Sequence, residues 1–130
     1  MIAVAGFTAV LLTPETASPS SFMPQTYFPG PELYSPCTDN VPLRGREELK
    51  FDWHPLTPAF LRRYVFKLYR GYSTTDDSKI METELLPSSY SFAIPATEFV
   101  PGEVYSWELS AVFIDGMKTE KSFCSFKVGE

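Results

Sequence analysis

From Glu32 onward, the apolar residues of this chain recur at every second position in short runs. Successive side chains of a β-strand point to opposite faces, so this spacing predicts half-buried strands. Turn-forming residues separate the runs, and no segment has a convincing helical period. Seven short strands divided by turns predict an all-β sandwich. The predicted strands cover residues 32–35, 49–53, 63–70, 80–85, 90–94, 104–114 and 118–128, with a two-residue hairpin turn at Asp115-Gly116.

Length and charge further limit the number of domains and the kinds of partner. At 130 residues the chain has the length of one domain, and its 44% hydrophobic residues supply a core. The net charge of −5 argues against nucleic acid or an anionic membrane surface as a partner, because both require clustered Lys and Arg. No glycine-rich phosphate loop is present.

Catalytic and metal-binding groups are scarce in the sequence. His54 is the only histidine and follows a predicted strand on its polar side, where a solvated histidine is the usual case. The acid pairs Glu47-Glu48 and Asp76-Asp77 lack the regular spacing of a calcium loop. The two cysteines and one histidine do not have the paired spacing of a zinc site. The sequence therefore predicts a protein that is not an enzyme and that has no metal or cofactor.

The first third of the chain differs from the remainder. Residues 1–43 contain no Lys or Arg and seven of the twelve prolines. An apolar run at Ile2–Leu12 is followed by a proline-rich stretch at Thr13–Pro31, which favours extended chain. We therefore expect two parts: an N-terminal apolar segment with its linker at 1–31, and the sandwich at 32–130.

The apolar run has to be buried somewhere, because an exposed one with no flanking charge promotes aggregation. Its eleven residues are too few to span a bilayer, which takes about 20. Its length matches the hydrophobic region of an export signal, although no Lys or Arg precedes it. Both strand and short helix remain open for it. We expect it to be ordered against a second copy or a partner. Packing against its own sandwich is the weaker alternative. The candidate assembly residues are Ile2, Val4, Phe7, Val10, Leu11 and Leu12.

The two cysteines, Cys37 and Cys124, lie near the two ends of the patterned region. An even count at this wide spacing favours one disulfide between terminal strands, which requires an oxidising compartment. Two buried free thiols are the alternative.

The segment Phe99–Leu109 (FVPGEVYSWEL) resembles the fibronectin type III pattern, in which a Pro-Gly turn leads into a strand with an early tyrosine. The resemblance implies a Greek-key sandwich over about residues 31–129, with strands A, B and E facing C', C, F and G. It also implies that Tyr105 forms a tyrosine corner, that Trp53 and Trp107 pack in the core, and that the first and last strands run side by side. The residues around Phe51 and Trp53 are also similar to sandwich modules of bacterial secreted and surface proteins. No Arg-Gly-Asp is present, so integrin binding is not implied.

Two aromatic residues are candidates for a binding surface. Tyr69 and Phe113 fall outside the inward register, on two strands predicted to be neighbours. Exposed aromatics of this kind stack on sugars or contact proteins, whereas the alternative is that they cover sheet edges and loops.

These observations predict a non-catalytic structural or interaction module of a secreted or cell-surface assembly. We expect protein partners, with self-association through residues 2–12 in a filament-like or pilus-like manner. The alternative is a carbohydrate-binding module that uses surface aromatics.

Overall fold

The structure, a computed structural model, describes residues 28–130. The predicted assembly segment, with Ile2, Val4, Phe7, Val10, Leu11 and Leu12, lies outside the described residues. The described part is all-β, as predicted, with three short 3-10 turns at Pro58–Phe60, Asp76–Ser78 and Ala96–Glu98. Its strands are β1 (Leu33–Ser35), β2 (Val41–Pro42), β3 (Glu48–Trp53), β4 (Leu61–Arg70), β5 (Lys79–Leu85), β6 (Ser91–Pro95), β7 (Val104–Phe113) and β8 (Ser122–Gly129).

Two sheets face each other across one core. The smaller sheet has the order β1-β3-β6 and the larger has the order β2-β8-β7-β4-β5. Each predicted strand is present, and their grouping is the one that the fibronectin type III resemblance implied. The two-residue β2 was not predicted. It pairs in parallel with β8 through Val41 and Val128, and so joins the edge of the larger sheet.

Aromatic side chains from both sheets fill the core. The ring of Phe51 on β3 lies 5.3 Å from that of Trp107 on β7 and 5.2 Å from that of Phe66 on β4. Trp53 packs against Tyr64 at 5.4 Å and is almost fully buried. These residues occupy alternate positions of their strands, which explains why all of them point into the sandwich.

Two specific links fix the connections of the sandwich. Cys37, which follows β1, forms a disulfide with Cys124 on β8, with a Cα–Cα distance of 5.2 Å. This confirms the predicted pairing and excludes the free-thiol alternative. At the start of β7, the Tyr105 hydroxyl accepts a hydrogen bond of 3.0 Å from the Val100 N–H, which is the contact expected of a tyrosine corner.

The turn after β7 differs from the prediction. The Phe113 N–H donates to the Met117 carbonyl at 2.7 Å, so the loop contains three residues, Ile114 to Gly116, instead of two. Gly116 has φ +90°, a left-handed conformation that glycine adopts without steric cost. A three-residue hairpin of this kind requires such a residue after its turn.

The environment of Tyr69 also differs from the prediction, because Tyr69 is not a surface aromatic. Only 3% of its area is exposed. It pairs across the β4–β7 ladder with Ser106, whose hydroxyl donates to the Gly71 carbonyl at 2.7 Å. On the outer face of the sheet the Tyr69 hydroxyl lies 3.5 Å from the Glu108 carboxylate, so this face encloses a side chain that simple alternation places outside.

Candidate interaction surface

Three loops meet at one end of the sandwich, here called the loop pole. Leu61 at the start of β4 pairs with Phe113 at the end of β7. Tyr64 pairs with Leu85 at the end of β5, and the Trp53 N–H at the end of β3 donates to the Tyr90 carbonyl. The loops 54–60, 86–90 and 114–121 therefore share this end.

Several large apolar side chains of the loop pole are exposed instead of packing in the core. Phe60 is 62% exposed and Ile114 is 56% exposed, although both are large and apolar. Leu86, Tyr90 and Met117, on the same three loops, are exposed as well. Single exposed apolar residues are ordinary on a protein surface, but a concentration on adjoining loops is typical of a contact site.

An open apolar hollow of about 490 Å³ lies at the loop pole. The rings of Phe28 and Phe113 pack 4.9 Å apart, and the Ile114 N–H donates to the Phe60 carbonyl at 3.0 Å, which ties two loops together. Phe113 is half-buried here, where it packs against the core as well. The residues that line this apolar hollow are Phe28, Phe60, Phe113, Ile114 and Asp115.

The chain that precedes β1 reaches the sandwich beside this hollow. The Phe28 carbonyl accepts a hydrogen bond of 2.8 Å from the Glu120 N–H. A Cβ atom at Gly30 would lie 2.7 Å from the Glu120 carbonyl oxygen, so this close approach requires glycine. Residues 28–30 therefore run along the start of β8, and the segment before Phe28 joins the described part at the loop pole.

The outer face of the larger sheet carries a charged cluster. Glu108 is 5% exposed, and its carboxylate lies 3.8 Å from the Lys67 Nζ and accepts a hydrogen bond of 3.5 Å from the Tyr69 hydroxyl. Burial, followed by the negative charge of Glu108, raises the pKa of Tyr69 to about 12. An enclosed tyrosine of this kind has no free ring face for a sugar, which removes one of the two aromatics behind the carbohydrate-binding alternative.

The histidine of the sequence lies at the surface beside a tyrosine. His54 is exposed, and its Nδ1 lies 2.8 Å from the Tyr34 hydroxyl. Residues 28–130 contain no group of three or more His, Cys, Asp or Glu that is placed to hold a metal ion. Over the same range, no helix has the length and hydrophobicity needed to cross a membrane.

The sequence reasoning found only part of the loop pole. It singled out Phe113 but missed Phe60 and Ile114, which line the same hollow. A signal for them is present, because both are large apolar residues next to a predicted turn or outside the strand pattern. The strands β4 and β7 were predicted to be neighbours, but the proximity of Phe60 and Ile114 depends on the register that places Leu61 opposite Phe113, which the sequence does not specify.

Comparisons with known proteins address the fold. No protein-family model and no curated protein matches the chain. The third fibronectin III domain of the human KIAA0343 protein is similar in structure, with a TM-score of 0.53 and 16% identity over 88% of this chain and 94% of that one. The fibronectin(III)-like modules of Clostridium thermocellum CbhA give a TM-score of 0.46 and 19% identity over 77% of this chain and 99% of that one. Murine CRIg gives a TM-score of 0.43 and 14% identity over 77% of this chain and 98% of that one. Together with the sheet order, the first of these similarities shows that the chain has the fibronectin type III-like fold of the immunoglobulin-like β-sandwiches.

Proposed function

We propose that this chain is a non-catalytic interaction module of a secreted or cell-surface assembly, and that it self-associates through residues 2–12 as a filament-like or pilus-like subunit. The observation that carries the proposal is the entry of the chain at Phe28, which connects the apolar run to the loop pole. Among the described residues, one end of the sandwich thus combines an exposed apolar surface with the point at which the linker of an uncharged apolar segment begins.

The disulfide supports the proposed location. Such bonds persist in oxidising compartments and are rare where thiols are kept reduced. The Cys37–Cys124 bond lies on the sandwich itself, so the folded domain, and not only a tail, depends on that environment.

The apolar run can supply a large part of the free energy that association requires. Burial of a large apolar side chain contributes about 1.5–3 kcal/mol. Six such side chains give a gross gain on the order of 10 kcal/mol before the cost of ordering the segment and joining two molecules. This gain is comparable to the cost of association, about 4–15 kcal/mol, so loss of the run should remove most of the driving force for assembly.

The test compares full-length protein with a variant in which the six assembly residues are replaced by serine. The exported protein is first weighed by intact mass spectrometry, and its mass in solution is then measured by sedimentation velocity. We expect oligomers for the full chain and monomers for the serine variant. The matched control carries asparagine at six polar linker positions and should assemble as the full chain does. These positions are Thr13, Thr16, Ser18, Ser20, Ser21 and Thr26.

Two results would refute the proposed function. One is the loss of residues 1–12 during export, which would identify the run as an export signal. The other is a serine variant that assembles to the same extent as the full chain.

A further inference from the structure

We propose that the apolar hollow at the loop pole is the acceptor site for the Ile2–Leu12 segment of a second copy of this chain. The inference rests on the proposed function and adds the surface that receives the segment. Assembly would then proceed head to tail, because each copy offers one segment and one hollow.

The hollow matches the segment in size and chemistry. A volume of about 490 Å³ lies within the range of about 300–1,000 Å³ for pockets that enclose small apolar groups. It therefore accommodates a few side chains of the run, such as Phe7 or Leu11, while the remaining ones spread over the exposed Leu86 and Met117.

Asp115 is the charged residue among the described residues that line the hollow, and it does not oppose docking. The Asp115 carboxylate accepts a hydrogen bond of 3.0 Å from the Met117 N–H, so it has a partner within its own loop. The segment itself has no charged side chain between Ile2 and Leu12. Asp115 is exposed, so its carboxylate can remain in contact with water at the margin of the hollow, and the run brings no second charge against it.

The length of the linker favours a second copy over the segment's own sandwich. Fifteen residues, 13–27, separate the run from Phe28, and three of them are prolines. Extended proline-rich chain covers about 3.1 Å per residue, which gives a reach of about 45 Å. A domain of about 100 residues has a radius of gyration of about 13 Å. The reach of the linker is more than three times this radius, so a linker that starts at the wall of the hollow is long enough to deliver the run to another molecule.

The edge strand β5 is a less suitable acceptor. An added strand would have to pass Lys79 and Glu82, whose side chains form an ion pair of 2.7 Å at this edge. Glu84 on the same strand pairs with Arg63 at 3.4 Å. Charged side chains on an edge oppose the addition of another strand, above all one that is apolar on both faces.

The acceptor is tested with the double variant Phe60→Asp and Ile114→Asp in the full chain. We expect association to weaken at least 100-fold, because two carboxylates would line the surface that receives the run. The matched control is Tyr72→Asp with Val100→Asp. These residues are 73% and 53% exposed and lie on loops at the opposite end of the sandwich. The control should associate as the unchanged chain does. If the aspartate variant loses its thermal unfolding transition, Phe60→Ser with Ile114→Ser takes its place.

A mixing experiment identifies the occupant. The hollow variant keeps an intact segment, and the serine variant of the run keeps an intact hollow. Each is expected to be monomeric alone, whereas their mixture should form a one-to-one complex and no larger species. Two monomers that remain monomeric after mixing would overturn the inference, since the segment would then occupy its own sandwich or another surface.

The two proposals fail in different ways. Hollow variants that assemble normally, while the serine variant of the run does not, would overturn the acceptor site and leave the proposed function intact. Normal assembly by the serine variant of the run would refute both.

Discussion

The indole Nε1 of Trp107 donates a hydrogen bond of 2.8 Å to the carbonyl oxygen of Pro36. Trp107 lies in the middle of β7, whereas Pro36 belongs to the connection that carries the chain from β1 to β2. The bond therefore attaches the first crossover between the sheets to the largest aromatic cluster of the core. The adjoining Cys37 disulfide attaches the same connection to β8.

The two tryptophans should respond differently to replacement by phenylalanine. Trp53 is as deeply buried as Trp107, but its Nε1 has no hydrogen-bond partner among the described residues. Both Trp→Phe changes lose packing, and only Trp107→Phe also leaves the buried Pro36 carbonyl without its donor, which costs about 1–3 kcal/mol. We expect Trp107→Phe to lower the free energy of unfolding by at least about 1 kcal/mol more than Trp53→Phe. Equal losses in urea unfolding would contradict this assignment.

The Tyr105 hydroxyl offers a test of the tyrosine corner. Tyr105→Phe keeps the ring against Phe99 and Phe126 but removes the acceptor for the Val100 N–H. We expect a loss of about 1 kcal/mol in the free energy of unfolding. Tyr90→Phe, at an exposed position, serves as the control and should change nothing measurable. A melting temperature for Tyr105→Phe equal to that of the unchanged protein would show that the hydroxyl does not stabilise the turn.

The sandwich was predictable because its signals are local or repeat along the chain. Alternation around Phe51, Phe66 and Trp107 marks the inward faces, and each of these side chains points inward in the structure. The disulfide was predictable from two cysteines near the two ends of the patterned region. A two-residue strand such as β2 carries no periodicity, and it forms only because β8 already offers an edge at Val128.

The loop pole and the burial of Tyr69 could not be predicted from sequence patterns. Both depend on residues that are distant in sequence: Phe60 beside Ile114 in the first case, and Tyr69 beside Glu108 in the second. Alternation along a strand indicates to which face a side chain points. It does not indicate which other residues bury that side chain.

Removal of the disulfide should destabilise the domain substantially. The bond joins residues separated by 87 positions, and the chain-entropy model gives about 4.6 kcal/mol for closing a loop of this length. We expect the double variant Cys37→Ala with Cys124→Ala to unfold at a clearly lower urea concentration than the oxidised protein. The unchanged protein under reducing conditions should shift in the same direction. An unchanged midpoint in both cases, or two free thiols in the exported protein, would contradict a stabilising role.

The enclosed Tyr69 predicts a specific loss of stability at alkaline pH. Its pKa is raised from the ordinary value of 10.0 to about 12, first by burial and then by the nearby Glu108 carboxylate. Below pH 10 both the folded and the unfolded chain hold the proton, so the stabilisation is fully present. Above pH 10 the unfolded chain releases this proton while the folded chain keeps it. The free energy of unfolding therefore falls as the pH rises toward 12.

Urea unfolding between pH 8 and pH 11.5 measures this effect through the variant Tyr69→Phe, which cannot ionise at that position. We expect the difference in the free energy of unfolding between the unchanged protein and Tyr69→Phe to be constant up to about pH 9.5. Above that pH the unchanged protein should lose stability more steeply, because Tyr69 must be kept neutral in the folded state. Tyr72→Phe, at an exposed position, is the control and should run parallel to the unchanged protein. Parallel curves for Tyr69→Phe as well would show that Tyr69 ionises in the folded protein as it does in the unfolded chain.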